Sequence, residues 1–198
     1  LEDTVLQAIG RRHTARDIRE AFCTAREVGF ACINMDLIAG LPQDSVEGFR
    51  DSLEEVLALR PENITVHTLA MKKGSRLMEE GGALPSSEET GRMVNLSLEA
   101  LEGAGYRPYY LYRQKYMSGG LENVSWCLPG TENHYNIIMM EELQSVLSLG
   151  AGGVTKLVDR SSGRIVRLTN PKYPHDYLAM SAKVLEQKDE ILRFYREV

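Results

Sequence analysis

The chain has 198 residues, of which 43% are hydrophobic, so it can bury a core as one domain with or without an appendage. Its formal net charge of -5 comes from interspersed charges, which predicts no nucleic-acid surface, and the lack of an apolar run of roughly 20 residues predicts no membrane span. Three scattered cysteines, Cys23, Cys32 and Cys127, exclude a disulfide framework and a four-cysteine metal site, and we expect a cytoplasmic protein.

The first predicted elements are a helix and a buried strand. Apolar residues recur at helical spacing between Thr14, the predicted N-cap with Asp17 at the third helical position, and Gly29, a terminator. The strand at 31–39 follows at once, and its almost continuous apolar character predicts burial on both faces, as in a parallel sheet. It carries one carboxylate, Asp36, near its C-terminal end, before a Gly-Leu-Pro turn.

A repeating strand and helix pattern follows. Asp44 and Glu47 predict a capping box for a helix that ends before Pro61, and residues 64–70 predict a second strand. Strand, helix and strand in this order form a βαβ unit, which requires parallel pairing. A further helix, opened by a capping pair at 86 and 89, and a third strand at 108–115 continue the pattern, which indicates an α/β fold.

The last part of the chain has a different character. Residues 118–133 are rich in Gly, Asn, Ser and Pro around the single tryptophan, Trp126, which predicts a long loop. Beyond it we expect a short helix at 135–143, strands at 146–150, 154–158 and 165–168, and one long helix over 174–195. We therefore predict two domains, 1–117 and 118–198.

Asp36 is the main candidate site residue. Ligands bind at the C-terminal ends of parallel strands, where a carboxylate can accept hydrogen bonds from two ligand hydroxyls. A carboxylate that caps a helix or pairs with an arginine is the alternative, and the sequence leaves both open. Arg11, just before a predicted helix, can bind a carboxylate with two hydrogen bonds, although an exposed surface arginine explains it as well.

Other candidate features are weaker. The glycine cluster at 150–153 lacks the spacing of a dinucleotide-binding loop, so tight packing or a bulge explains it better. The aromatic and basic segment 109–115 suits an anionic aromatic ligand such as a porphyrin carboxylate, and a half-buried strand explains it equally well. His67, on a predicted strand, is interpreted as a core or edge histidine, and no metal-ligand spacing is present.

Several segments together resemble a known family. They are IGRRHT at 9–14, MDLIAGLP at 35–42 and LGAG at 149–152, and they are similar to radical S-adenosylmethionine (SAM) enzymes related to oxygen-independent coproporphyrinogen III oxidase. YLYRQK at 110–115 with LEN at 121–123 resembles the HemZ-like coproporphyrinogen dehydrogenase branch. The resemblance covers essentially the whole chain in order.

The resemblance implies a fold and a binding site. The fold is the C-terminal half of a (β/α)6 partial TIM-like barrel with parallel strands, followed by a small α+β C-terminal region. The residues implied to contact SAM are Arg11, Asp36, Ala70 and Lys156. Lys156 is a departure, because the family has an apolar contact residue at that position.

The family also implies a cofactor that this chain does not hold by itself. Family members bind a [4Fe-4S] cluster through Cys-x3-Cys-x2-Cys, and one iron holds SAM and cleaves it to a 5'-deoxyadenosyl radical. The cysteines of this chain lack that spacing, so the cluster ligands are expected upstream of Leu1. We therefore expect an N-terminally truncated chain that is inactive alone.

The implied activity of the full-length parent is the oxidative decarboxylation of coproporphyrinogen III to protoporphyrinogen IX in heme biosynthesis, with an electron donor protein as partner. One alternative is a heme carrier or chaperone of the same family, whose heme surface would include the 109–115 strand and the loop around Trp126. An unrelated barrel enzyme is disfavoured, because no acid-base pair is evident beside Asp36.

Overall fold

The computed structural model describes residues 1–70, 83–112 and 121–197. They form two compact units, Leu1–Asn133 and His134–Val198. This division falls later than the predicted boundary after residue 117, because the segment that follows contributes a strand to the sheet of the first unit. None of the helices in the described ranges combines the length and apolarity needed to cross a membrane.

The elements of the first unit, in chain order, are α1 (Asp3–Ala8), α2 (Ala15–Val28), β1 (Asn34–Ala39), α3 (Val46–Leu59), β2 (Asn63–Thr68), α4 (Ser87–Gly103), β3 (Arg107–Tyr112) and β4 (Asn123–Cys127). The elements of the second unit are α5 (His134–Met140), β5 (Val154–Val158), β6 (Ile165–Thr169), α6 (Pro174–Ala179) and α7 (Ser181–Glu197).

The first unit is built on a four-stranded sheet in the order β1-β2-β4-β3. β1 and β2 pair in parallel and α3 connects them, so the predicted βαβ unit is confirmed. β4 is antiparallel to both of its neighbours, β2 and β3. The prediction of a loop over 118–133 is therefore wrong for β4, and the sheet is mixed rather than fully parallel.

The two faces of this sheet differ in character. Apolar residues of β1, β2 and β4, including Leu37, Val66 and Trp126, form one core with side chains of α3 and α4. Because successive side chains of a strand alternate between faces, the polar residues between them lie on the opposite face. On that face Asp36 is exposed, so the prediction that β1 is buried on both sides is wrong.

Helix starts follow the capping rules closely. The predicted capping boxes of Thr14 with Asp17 and of the pair at 86 and 89 both form. α3 differs by one residue from its prediction, because its N-cap is Ser45, whose hydroxyl accepts a hydrogen bond from the backbone N–H of Gly48 at 3.0 Å. Asp44 and Glu47 therefore do not cap it as a pair.

The second unit consists of a β-hairpin, formed by β5 and β6, and the three helices α5, α6 and α7. β5 and β6 pair antiparallel as predicted, whereas the strand predicted at 146–150 reduces to a single bridge between Val146 and Lys156. The predicted long C-terminal helix is two helices, α6 and α7, interrupted at Met180, whose φ of -99° and ψ of 29° leave the helical region. The glycine cluster is held locally, since the Asn170 amide donates to the Gly150 carbonyl at 2.9 Å.

Gly40 closes β1 at a point of close approach to α4. Its φ of +86° lies in the left-handed region, and a Cβ at this position would lie 3.0 Å from Thr90 Oγ1 and 3.1 Å from Thr90 Cγ2. The position therefore needs glycine for two separate reasons, the backbone conformation and the lack of space.

We predict that Gly40→Ala lowers the free energy of unfolding more than Gly130→Ala does. Gly130 has a similar φ of +83°, and a Cβ there would meet no atom within 4 Å, so its replacement costs only the left-handed backbone term, roughly 1–2 kcal/mol. Urea denaturation followed by circular dichroism measures both variants. Equal losses would show that the contact with Thr90 is unimportant.

Candidate functional site

A cavity of about 680 Å³ opens where β1 and β2 end. Its walls include the last residues of these two strands, Tyr112 at the end of β3, Asn123 at the start of β4, and the segment between α1 and α2. These elements meet because β4 runs opposite to its neighbours. The volume lies within the range of small-molecule sites, about 300–1,000 Å³.

Three of the four predicted SAM-site residues line this cavity, namely Arg11, Asp36 and Ala70. The fourth, Lys156, belongs to the second unit. It lies on β5 of the second unit, where its Nζ donates to the Met139 carbonyl oxygen at 3.1 Å and stands 3.6 Å from Glu142 Oε1. Both contacts lie within its own unit.

Asp36 is an oriented carboxylate rather than a buried one. Its side chain is 57% exposed, so desolvation opposes its charge only in part. The Asn34 amide donates to Oδ1 at 2.6 Å, and His67 Nε2 lies 3.6 Å from Oδ2. Both oxygens therefore have a protein neighbour, and the carboxylate still faces the cavity.

A chain of hydrogen bonds crosses three strands to reach Asp36. Ser125 and Thr65, 1% and 2% exposed, join their hydroxyls at 2.8 Å, and Thr65 lies 3.1 Å from Asn34 Oδ1. Because the amide nitrogen of Asn34 donates to Asp36, its oxygen must accept from Thr65, which in turn accepts from Ser125. The direction of the whole chain follows from these contacts.

His67 and Tyr112 approach Asp36 from the other side. The Tyr112 hydroxyl lies 3.2 Å from His67 Nδ1, and both residues line the cavity. The interpretation of His67 as an edge or core histidine misses this arrangement. The alternation of side chains along a strand could have indicated it. Thr65 is the partner of Asp36 in the parallel register, and His67 stands two residues after Thr65, so His67 and Asp36 share one face of the sheet.

The pKa of the Asp36 carboxyl lies below its usual value. The contact with His67 is the largest cause, partial burial opposes the shift, and the hydrogen bond from Asn34 adds to it. Asp36 is therefore ionised over the whole physiological pH range, and it can act only as a hydrogen-bond acceptor.

Arg11 supplies the positive charge of the cavity wall. It follows Gly10, and its backbone N–H donates to the Leu6 carbonyl at 2.9 Å, which closes the turn after α1. Its side chain is exposed, and across the described ranges its guanidinium forms no ion pair. A free guanidinium in a cavity wall is suited to bind a ligand carboxylate.

The described residues do not fit an iron-sulfur cluster. No group of three or more His, Cys, Asp or Glu residues among them could hold a metal ion. Cys23 and Cys32 are exposed, Cys127 is buried in β4, and burial raises the pKa of the Cys127 thiol to about 11. A thiol with so high a pKa is a poor thiolate ligand at neutral pH.

The predicted heme surface is only partly described. Trp126 is 5% exposed and belongs to the core of the first unit, so its assignment to a heme-binding loop is wrong. Tyr110 and Tyr112 stack at 6.1 Å between ring centroids on the cavity face of β3. The basic residues Arg113 and Lys115 lie outside the described residues.

Comparisons with known proteins match the chain to coproporphyrinogen III oxidase-like proteins and to heme chaperones. No family model matches it. It is 40% identical over 199 residues to the oxygen-independent coproporphyrinogen-III oxidase-like protein HemZ of Bacillus subtilis, a match that covers 100% of this chain and 39% of HemZ. It is 33% identical over 107 residues to the oxygen-independent coproporphyrinogen III oxidase of Pseudomonas aeruginosa, covering 52% of this chain and 23% of that protein. The heme chaperone HemW of Bacillus subtilis is 30% identical over 126 residues, covering 62% and 33%.

One solved structure shares the fold of this chain. The radical SAM enzyme coproporphyrinogen III oxidase (HemN) of Escherichia coli superposes with a TM-score of 0.63 at 19% identity, covering 86% of this chain and 38% of that one. At this identity the likeness shows the fold alone. The chain spans about two fifths of the length of HemZ. By these matches and this shared fold, the chain belongs to the family of oxygen-independent coproporphyrinogen III oxidase-like radical SAM proteins.

Proposed function

We propose that this chain forms the SAM-binding wall of a radical SAM protein that converts coproporphyrinogen III to protoporphyrinogen IX by oxidative decarboxylation. The observation that carries the proposal is the convergence of Arg11, Asp36 and Ala70 in one cavity at the ends of two parallel strands. Such strand ends are the usual ligand-binding edge of a parallel sheet. We further propose that this sheet is part of a (β/α)6 partial barrel.

The cavity residues fit the chemistry of SAM. Asp36 can accept hydrogen bonds from ribose hydroxyls, and Arg11 can pair with the carboxylate of the methionine portion. Apolar side chains of the wall, including Ile38 and Leu69, suit the adenine ring. When bound, SAM supplies the adenosyl group that removes a hydrogen atom from the substrate, and the residues of this chain hold and orient it.

In this proposal the [4Fe-4S] cluster is not held by the described residues of this chain. Since the described residues offer no suitable ligand set and the match to HemZ covers 39% of that protein, we place the cluster ligands in a part of the natural protein that this chain does not span. A heme carrier is the second candidate, because relatives named as heme chaperones match this chain at 23–30% identity.

The first experiment separates the two functions. The natural protein that contains this chain is reconstituted anaerobically with iron and sulfide, then supplied with SAM, a reductant and coproporphyrinogen III. We expect protoporphyrinogen IX, detected by chromatography after oxidation to the porphyrin. Formation of 5'-deoxyadenosine without porphyrin conversion, together with stoichiometric heme binding, would contradict the oxidase and support the carrier.

Asp36→Asn should weaken SAM binding and leave the fold intact. Because the carboxylate is 57% exposed, we expect a change in unfolding free energy below about 1 kcal/mol, whereas the affinity for SAM should fall about tenfold or more because a charged acceptor is lost. Equilibrium dialysis with labelled SAM and urea denaturation measure the two effects. A stability loss of about 3–5 kcal/mol would instead identify a structural carboxylate.

Arg11→Ala should also weaken SAM binding, and Arg12→Ala is its matched control. Arg11 lines the cavity and its neighbour Arg12 does not, although both are exposed. We expect a loss of about tenfold in affinity for the first variant, since a charge-assisted contact is removed, and less than twofold for the second. Equal effects would show that only the general positive charge of the segment matters.

A further inference from the structure

His67 and Tyr112 have no role in the site as proposed so far, yet they connect directly to it. His67 lies on β2 and Tyr112 on β3, two strands separated by β4. Their rings meet edge to face at 6.3 Å between centroids, with the hydroxyl 3.2 Å from Nδ1. The opposite ring nitrogen, Nε2, faces Oδ2 of Asp36 at 3.6 Å.

We propose that His67 is a positioning residue for Asp36, that Tyr112 fixes the orientation and tautomer of the His67 ring, and that the pair presents the carboxylate to the adjacent hydroxyls of SAM. This inference rests on the proposed function, because it takes SAM as the ligand of Asp36. It assigns to this chain two residues that bind no ligand themselves and act through a third.

Because His67 Nε2 lies 3.6 Å from Asp36 Oδ2, that contact is electrostatic and longer than a hydrogen bond. Its polarity, and the direction of the hydrogen bond with Tyr112, follow from the chemistry of the three groups. An ionised carboxylate only accepts, so the His67 nitrogen that faces Asp36 carries the hydrogen. In the neutral ring the other nitrogen, Nδ1, is then an acceptor, and the Tyr112 hydroxyl donates to it. The order is Tyr112 hydroxyl to His67, and His67 to Asp36.

The geometry leaves the carboxylate ready for a ligand with two neighbouring donors. Oδ1 accepts one hydrogen bond from Asn34, and Oδ2 faces His67. The two carboxylate oxygens have four lone-pair sites between them, so acceptor sites remain beside these partners, and Asp36 lines the cavity. Contacts on both oxygens stop the rotation of the group, which removes an entropic cost from binding.

A purely structural role fits His67 poorly. Its side chain is 24% exposed at the cavity, and it is not part of the apolar core of the first unit. The buried chain from Ser125 through Thr65 and Asn34 restrains only Oδ1. Without His67, Oδ2 would lose this neighbour, and Asp36 would depend on its contacts with Asn34 and Thr65.

Two amide substitutions distinguish the nitrogen atoms of His67. The amide of Gln reaches the position of Nε2, so His67→Gln keeps a donor toward Asp36, whereas the shorter amide of His67→Asn lies at the position of Nδ1. We expect the natural protein to bind SAM within about twofold of wild type for His67→Gln, and three- to tenfold more weakly for His67→Asn and His67→Phe, roughly the effect of one immobilised side chain. Equal binding by all three variants would overturn the proposal.

Tyr112→Phe tests whether the Tyr112 hydroxyl orients the His67 ring. Its matched control is Tyr110→Phe, which removes a hydroxyl from the same face of the same strand but from a residue that does not line the cavity. We expect a weakening of about two- to fivefold for Tyr112→Phe, again from lost orientation, and no change for the control. Equal effects of the two variants would contradict the role of Tyr112.

A double-mutant cycle tests whether His67 acts through Asp36. In an Asp36→Asn background, His67→Phe should cause no further loss of SAM affinity, because the group that it orients is already altered. Additive losses would contradict the proposal and assign His67 to the ligand directly.

A measurement without SAM keeps this inference separate from the proposed function. Carbon-13 NMR titration of the Asp36 carboxyl should show a pKa that rises toward its ordinary value in His67→Phe, because the main cause of its low pKa is removed. If the pKa rises but the wild-type protein does not bind SAM, the proposed function fails and the contact stands. If SAM binds and the pKa is unchanged, the positioning role fails.

Discussion

The side chains of the four-stranded sheet alternate between an apolar face that packs on α3 and α4 and a polar face that leads to the cavity. The positions of Asp36, Thr65 and His67 on the polar face follow from the parallel register of β1 and β2. A slip of one residue would exchange the two faces, exposing the core and burying a carboxylate. The requirement for a buried apolar face therefore also fixes the geometry of the site.

The buried polar residues of this face add little to the stability of the fold compared with apolar residues of similar shape. Asn63, Thr65, Asn123 and Ser125 are at most 2% exposed, and a pair such as Thr65 with Ser125 could be replaced by apolar groups of similar shape with little loss. The hydrogen bonds of Thr65 and Ser125 instead lead to Asn34 and, through it, to Asp36. Such a network rigidifies the carboxylate to which it leads, which is the property that a preorganised binding site requires.

Much of the fold follows from local sequence signals. Capping boxes, helical periodicity and the βαβ order predict α2, α4 and the parallel pair of β1 and β2. β4 does not follow from composition, because its neighbours are typical loop residues. Its own residues, Asn123–Cys127, nevertheless include the polar and apolar alternation of a strand. The break at Met180 has no proline or glycine to indicate it.

The candidate site was partly predictable for the same reason. Asp36 stands at a strand end within a distinctive motif, and Arg11 stands beside a helix start, so sequence reasoning finds both. The contribution of Tyr112 depends on β4 lying between β2 and β3, a long-range pairing that no local pattern encodes. Lys156 follows a motif of the family, and its role toward SAM stays a prediction; within the second unit it contacts Met139 and Glu142.

The central claim is that Asp36 is a carboxylate oriented toward SAM by partners on both of its oxygens. A crystal structure of the natural protein that contains this chain, grown with SAM, tests it most directly. We expect SAM in the cavity with its ribose hydroxyls within hydrogen-bond distance of Asp36, while Asn34 and His67 remain beside the two oxygens. SAM bound away from Asp36, or an Asp36 carboxylate turned away from both partners, would contradict it.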